Sequence, residues 1–147
     1  MKVGIVRCAN IYGPGDFNLK RLIPEVILST IEKKNFTIRS NGKSTRDYVY
    51  VEDVVDAYIK LFKKIKNSKD KLKIYNISSK FNYSVLEVVN MILKKMNNIK
   101  LKPIILNNSK EELNYRRLNY SKIQRELNWK PKTDIKIGLK KTIDWNI

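Results

Sequence analysis

The sequence predicts an α/β fold built around parallel strands. Three observations carry that prediction. Short β-branched runs alternate with amphipathic helical stretches along the chain. The first run, Val3-Gly4-Ile5-Val6-Arg7, is uncharged until its last residue, as a strand covered on both faces requires. Polar residues then collect on short connections between Arg7 and Asp53, where a parallel sheet presents its ligand-binding end. The 147 residues suffice for one body with its own core, and nothing in 1–147 reads as a linker or repeat.

The elements follow in order. Residues 3–7 read as a buried strand. Parallel strands need crossover partners on both sides, so a buried strand opening at residue 3 is read as a sign that the chain is part of a longer unit. Cys8-Ala9-Asn10 follow the strand's carboxyl end. Asn10 offers a donor and an acceptor there, either to a ligand or to its own loop. Tyr12-Gly13-Pro14-Gly15-Asp16 is turn chemistry. A helix is predicted over 21–33, with Leu22, Val26, Ile27, Thr30 and Ile31 on one face and Pro24 in the first turn.

A short strand is expected over Phe36–Arg39, then a turn-rich loop at 40–44. The segment from Arg46 leads into a helix over 52–65, with Glu52 and Asp53 in its first turn, where Asp53 reads as structural. A strand over 74–77 precedes a helix over 85–97, which Ser84 and Glu87 open as an S-x-x-E capping box. Residues 103–106 suit a short strand, and helices are expected over 121–127 and 135–145.

Composition excludes several classes. The single Cys8 rules out an internal disulfide, and with no His there is no His/Cys metal site. No stretch approaches the roughly 20 apolar residues of a bilayer span, and the first residues lack a signal-peptide layout. A cytoplasmic protein is the simplest expectation. The net charge of +17 raises the question of nucleic acid. The excess is 24 Lys against 7 Arg, accompanied by 16 Asn. The lysines are scattered as Lys33-Lys34, Lys63-Lys64, Lys94-Lys95 and Lys140-Lys141 near predicted helix ends, which favour cations anyway. The charge therefore reads as a solvated surface, with no nucleic-acid and no membrane partner. Lacking His, any proton transfer would fall to Tyr, Lys, Asp or Glu.

Arg21, Arg39, Arg46, Arg116 and Arg117 stand out in a chain that otherwise uses Lys. Arg presents a planar fork of donors suited to phosphate. Two or three converging arginines would hold a pyrophosphate, so the Arg7–Asp53 stretch reads as one wall of a pocket for an anionic small molecule. The alternative for Arg46 is a surface pair with Asp47, worth roughly 0–1 kcal/mol.

Six motifs then occur in order: R-C-A-N-x-Y-G-P, R-L-I-P-x-V-I, R-D-Y-x-Y-V-E-D, Y-N-I-S, S-K-I-x-x-E-L-N-W-K-P and G-L-x-x-T-I-x-W. Together they resemble the C-terminal half of the NAD-dependent epimerase/dehydratase family, the extended short-chain dehydrogenases acting on nucleotide-sugars. Within it the nucleotide-sugar 4,6-dehydratases stand nearest and the 4-epimerases next. The resemblance implies the C-terminal portion of a Rossmann-like fold with its small substrate-binding subdomain. It implies that Asn10 contacts the sugar-phosphate and that Cys8 and Ala9 approach the nicotinamide end of NAD. Arg21 and Leu22 would flank the nucleotide base, with Ile38 and Arg39 beneath it. Arg46 would clamp the pyrophosphate, Asn76 would lie near base and ribose, and Arg116 or Arg117 would add a phosphate contact.

The family's glycine-rich G-x-x-G-x-x-G turn and its Tyr-x-x-x-Lys pair do not occur in the 147 residues. The resemblance therefore implies a substrate-binding portion over 1–147 without the NAD-binding half, inactive alone and with no catalytic residue of its own. NAD would serve the intact parent and not bind tightly to this chain. The partner would be a nucleoside diphosphate sugar, with a homodimer or a separate N-terminal half completing the assembly. A stand-alone nucleotide-sugar-binding or interaction module is the alternative.

Overall fold

The computed structural model describes residues 1–108 and 113–147. The elements are β1 (Val3–Cys8), β2 (Asn10–Tyr12), α1 (Leu22–Ile31), β3 (Thr37–Ile38), β4 (Thr45–Tyr50), α2 (Val51–Lys66), β5 (Leu72–Ile77), β6 (Asn82–Ser84), α3 (Val85–Lys95), β7 (Ile104–Ile105), α4 (Ser121–Leu127) and α5 (Ile135–Asn146). The capping box forms as its spacing predicts. Ser84 Oγ accepts from Glu87 N–H at 3.2 Å, and the Glu87 carboxylate accepts from Ser84 N–H at 2.6 Å. Those bonds satisfy two of the donors that a helix start leaves orphaned.

The ladder pattern locates the site. β1 pairs in parallel with β5, from Val3 opposite Leu72 to Cys8 opposite Ile77. At Ala9 the extended chain changes partner. Ala9 N–H donates to the Ile77 carbonyl at 2.9 Å, and β2 then runs parallel to β4 with Asn10 opposite Tyr48. β4 continues antiparallel to β6, while β3 pairs in parallel with β7.

β4 separates two apolar clusters by the period-2 geometry of a strand. Tyr48 and Tyr50 join Tyr12, Val26, Ile27, Val88, Ile92 and Leu139 on one side. Val49 joins Val54, Ala57, Leu61, Tyr75, Ile77 and Trp129 on the other. Complete burial of one such aliphatic side chain is worth roughly 1.5–3 kcal/mol. Trp129 fastens the second cluster by donating its indole N–H to the Asp53 carbonyl at 3.0 Å. The Asp53 carboxylate accepts from Thr133 N–H at 3.0 Å, a structural role as its place in the sequence suggests.

Two expectations change. β1 is not the buried strand that its uncharged sequence implies. Gly4 and Ile5 are exposed, because β1 has a single ladder partner among the described residues. Lys140 and Lys141 lie within α5 rather than at a helix end, and they pair with Asp144 at 2.6 Å and Glu52 at 3.1 Å. Among the described residues, no helix is long and apolar enough to cross a membrane, and no group of His, Cys, Asp or Glu is placed to hold a metal ion.

Candidate nucleotide-sugar site

The partner switch at Ala9 opens a crevice, because adjacent residues of one strand leave in two ladders. A cavity of about 400 Å³ lies there, lined by Cys8 to Tyr12, Asp16, Arg21 to Pro24 and Tyr48. Arg21 is extended and ends the loop; α1 begins at the next residue. Its guanidinium meets the Asp16 carboxylate at 3.2 Å, and the side chain stays 58 % exposed, so the pair leaves donors for a ligand. The first turn of α1 turns its positive dipole end to the same cavity. Burial pushes the Cys8 thiol up from its ordinary pKa and keeps it protonated.

A second cavity of about 120 Å³ lies on the other side of the strand end, lined by Cys8, Ala9, Asn10, Arg46, Asp47, Arg116 and Leu118. Arg46 Nη1 donates to the carbonyls of Thr45 and Leu113, both at 2.8 Å. Arg116 is carried beside it by its own backbone. Its N–H donates to the Thr45 carbonyl at 3.3 Å, and its carbonyl accepts from Asn82 Nδ2 at 3.2 Å.

Asp47 anchors this wall. It is buried, and its carboxylate accepts from Ser78 Oγ, from Ser79 N–H and Oγ at 2.8 Å each, and from Leu118 N–H at 3.3 Å. Four donors from two distant segments thus converge on one carboxylate, which ties β4 to the end of β5 and to the stretch that carries Arg116. Arg117 turns elsewhere and donates to the Lys80 carbonyl at 3.2 Å.

Residues 1–78 match the NAD dependent epimerase/dehydratase family, over half of the chain. The chain belongs to that family. It is 30% identical over 97% of its length to human dTDP-D-glucose 4,6-dehydratase, of which it covers 41%. It is 32% identical over 96% of its length to an Escherichia coli dTDP-glucose 4,6-dehydratase, of which it covers 40%. Among solved structures, it resembles Thermotoga maritima UDP-glucose 4-epimerase with UDP-glucose, with a TM-score of 0.86 and 25% identity, covering 99% of this chain and 46% of that one. The chain therefore spans less than half the length of these relatives, and its α/β fold matches part of theirs.

Of the residues that the family resemblance singles out, the first cavity gathers Cys8, Ala9, Asn10, Arg21 and Leu22. The second joins Cys8, Ala9 and Asn10 to Arg46 and Arg116. Besides Arg117, three others line neither cavity. Ile38 is buried in the first apolar cluster, because β3 alternates and turns it inward. Arg39 is exposed, and its carbonyl is used by Asn108 N–H at 2.9 Å. Asn76 Nδ2 donates to the Asn119 carbonyl at 3.3 Å. Sequence reading overlooked Asp16, Tyr48 and the anchoring role of Asp47. The serine pair after Y-N-I was the available signal for Asp47, since adjacent hydroxyls suit a carboxylate.

Proposed function

We propose that this chain is the nucleotide-sugar-binding part of an NAD-dependent nucleotide-sugar 4,6-dehydratase or epimerase, corresponding to the C-terminal portion of the family fold. The observation that carries this reading is the position of Asn10, which lines both cavities and joins the one holding Arg21 to the one holding Arg46 and Arg116. An extended, doubly charged ligand suits that arrangement. The nucleoside would sit against Arg21 and Leu22, the diphosphate at Arg46 and Arg116, and the sugar-phosphate linkage at Asn10. A cavity of about 400 Å³ falls within the usual range of ligand sites, roughly 300–1,000 Å³.

The residues present do not make a cradle for NAD. Such a cradle needs glycines whose missing Cβ leaves room for phosphate at a helix start. A Cβ on Gly13 would meet the Val51 side chain at 2.4 Å and one on Gly42 would meet Leu86 at 2.6 Å, whereas Gly15 has open space around it but lies seven residues ahead of the helix start at Leu22. Cys8 and Ala9 supply a wall at most, and no redox step is assigned to residues 1–147.

Calorimetric titration with dTDP-glucose, UDP-glucose and CDP-glucose tests the reading, with glucose 1-phosphate as control. Nucleoside diphosphate sugars are expected to bind more tightly than the control, with affinity reduced in Arg46→Ala and Arg116→Ala. Absence of binding at millimolar ligand would overturn it. The chain alone with NAD is expected to convert none of them, and product formation would overturn that part. The sequence's lack of a Tyr-x-x-x-Lys pair equally suits a binding module without chemistry. That reading is favoured if no partner polypeptide restores turnover.

A further inference from the structure

Asp16 is the one carboxylate that lines the cavity of about 400 Å³, and it pairs there with Arg21. A carboxylate repels a diphosphate, so it suits the end of the site where the ligand carries no charge. In the reading proposed above, on which this inference rests, that end holds the nucleoside.

The pair is held ready. Asp16 Oδ1 accepts from Asn18 N–H at 3.1 Å, and Asp16 Oδ2 accepts from Arg21 Nη1 at 3.2 Å. The Asn18 side chain accepts from Lys20 N–H at 3.0 Å, and the Asn18 carbonyl accepts from Arg21 N–H at 2.9 Å. These bonds fix the loop over 16–21 before a ligand arrives, which reduces the ordering cost of binding. Among the described residues, Asp16 is the single partner of the Arg21 side chain, so Nη2 keeps its donors. Leu22, Ile23 and Pro24 line the same cavity and offer apolar surface to a ring.

Bonding order sets the pattern that the pair presents. Nη1 and Nη2 share one carbon and stand side by side, and the Asp16 carboxylate lies next to Nη1. The row is donor, donor, acceptor. Its complement is a base edge with two adjacent acceptors followed by an N–H. Cytosine carries that edge as O2, N3 and N4–H, and guanine carries it as N7, O6 and N1–H. Uracil and thymine alternate as O2, N3–H and O4. They match two positions of the row at best, and their second carbonyl then turns toward the carboxylate. A site built from polar groups discriminates strongly against a ligand that leaves them unpaired.

We propose that Asp16 and Arg21 together select the base of the nucleoside diphosphate sugar. The base is one that carries two adjacent acceptors and a donor on one edge, cytosine or guanine, in preference to uracil or thymine.

Calorimetric titration of the chain with CDP-glucose, GDP-glucose, UDP-glucose and dTDP-glucose tests this, because the four ligands differ in the nucleoside alone. CDP-glucose or GDP-glucose is expected to bind at least tenfold more tightly than both of the others, and the tighter of the two identifies the base. Asp16→Ala is expected to bring the four affinities within about twofold of one another. Asp16→Asn keeps an acceptor for Asn18 N–H but turns an amide donor to the base, and it is expected to remove the preference at unchanged melting temperature. A role in bracing the loop alone would weaken all four ligands alike and leave their ratios intact. Equal affinities in the parent chain, tighter binding of UDP-glucose or dTDP-glucose, or ratios unmoved in both variants would overturn the inference and leave the binding reading standing. Binding of none of the four would overturn both.

Discussion

Ser79 binds Asp47 twice, through its backbone N–H and its hydroxyl, both at 2.8 Å. The partners are 32 residues apart, and the contact fixes the end of β5 against β4 beside the arginine-lined cavity. Asp47→Ala leaves the donors of Ser78, Ser79 and Leu118 without their acceptor. Unmet buried donors cost about 1–3 kcal/mol each, so a loss of about 3 kcal/mol is expected, read as a lower urea midpoint at unchanged slope. Ser79→Ala keeps the backbone bond and is expected to cost about 1 kcal/mol. Equal losses in the two variants would contradict this ranking.

Arg116 offers the cleaner test of anion binding. Its backbone makes the structural bonds, whereas Arg46 also supports the Leu113 carbonyl. Arg116→Ala is expected to weaken nucleoside diphosphate sugar binding about tenfold, equivalent to roughly 1.4 kcal/mol, at unchanged melting temperature. Arg116→Lys keeps the charge but loses the fork, and is expected to fall between the two. Titration at two salt concentrations checks the electrostatic origin, since a surface contact weakens with screening.

Local features were legible in the sequence, and long-range ones were not. The Ser84–Glu87 box spans three residues, and α4 keeps its expected bounds, Ser121–Leu127. The carboxyl end of β1 was also readable to within one residue, from where its uncharged run stops at Arg7. The role of Asp47 depends on partners 31 and 71 residues away, beyond the reach of periodicity. The fate of Ile38 depends on the register of β3 against β7, which puts it opposite Ile105 and turns it into the core. An uncharged run such as Val3–Val6 says that a strand suits burial. It does not say whether a neighbour is in place, and here Ile5 remains 41 % exposed.

Gly138 sets the position of a cavity residue from the far side. A Cβ there would lie 2.2 Å from the Tyr12 hydroxyl oxygen and 2.9 Å from Cζ. Tyr12 lines the cavity that holds Asn10 and Arg21, but at 3 % exposed its ring has little room to retreat. Gly138→Ala would ordinarily stabilise a helix by about 1 kcal/mol. Overpacking costs about 1–3 kcal/mol and is expected to win, lowering the melting temperature and disturbing ligand binding. A second replacement, Tyr12→Phe, removes the hydroxyl that the new Cβ would meet and is expected to recover part of the loss. A more stable Gly138→Ala protein would show that Tyr12 moves freely.

The cap of α3 makes stability depend on pH in a predictable direction. Hydrogen bonds from the Ser84 backbone and hydroxyl hold the Glu87 carboxyl below its usual pKa. A carboxylate depressed in the folded state contributes stability that is fully present above its unfolded value, about 4.3, and is lost as pH falls through the folded value. Glu87→Gln keeps a group able to accept from Ser84 N–H but cannot titrate. Between pH 6 and pH 3, its urea midpoint is therefore expected to fall less than that of the parent chain. Ser84→Ala removes the hydroxyl half of the box and is expected to cost about 1 kcal/mol at pH 7. The same variant should also flatten the acid-side slope, because Glu87 loses one of the bonds that depress it. Parallel slopes for all three proteins would mean that Glu87 does not contribute to acid stability.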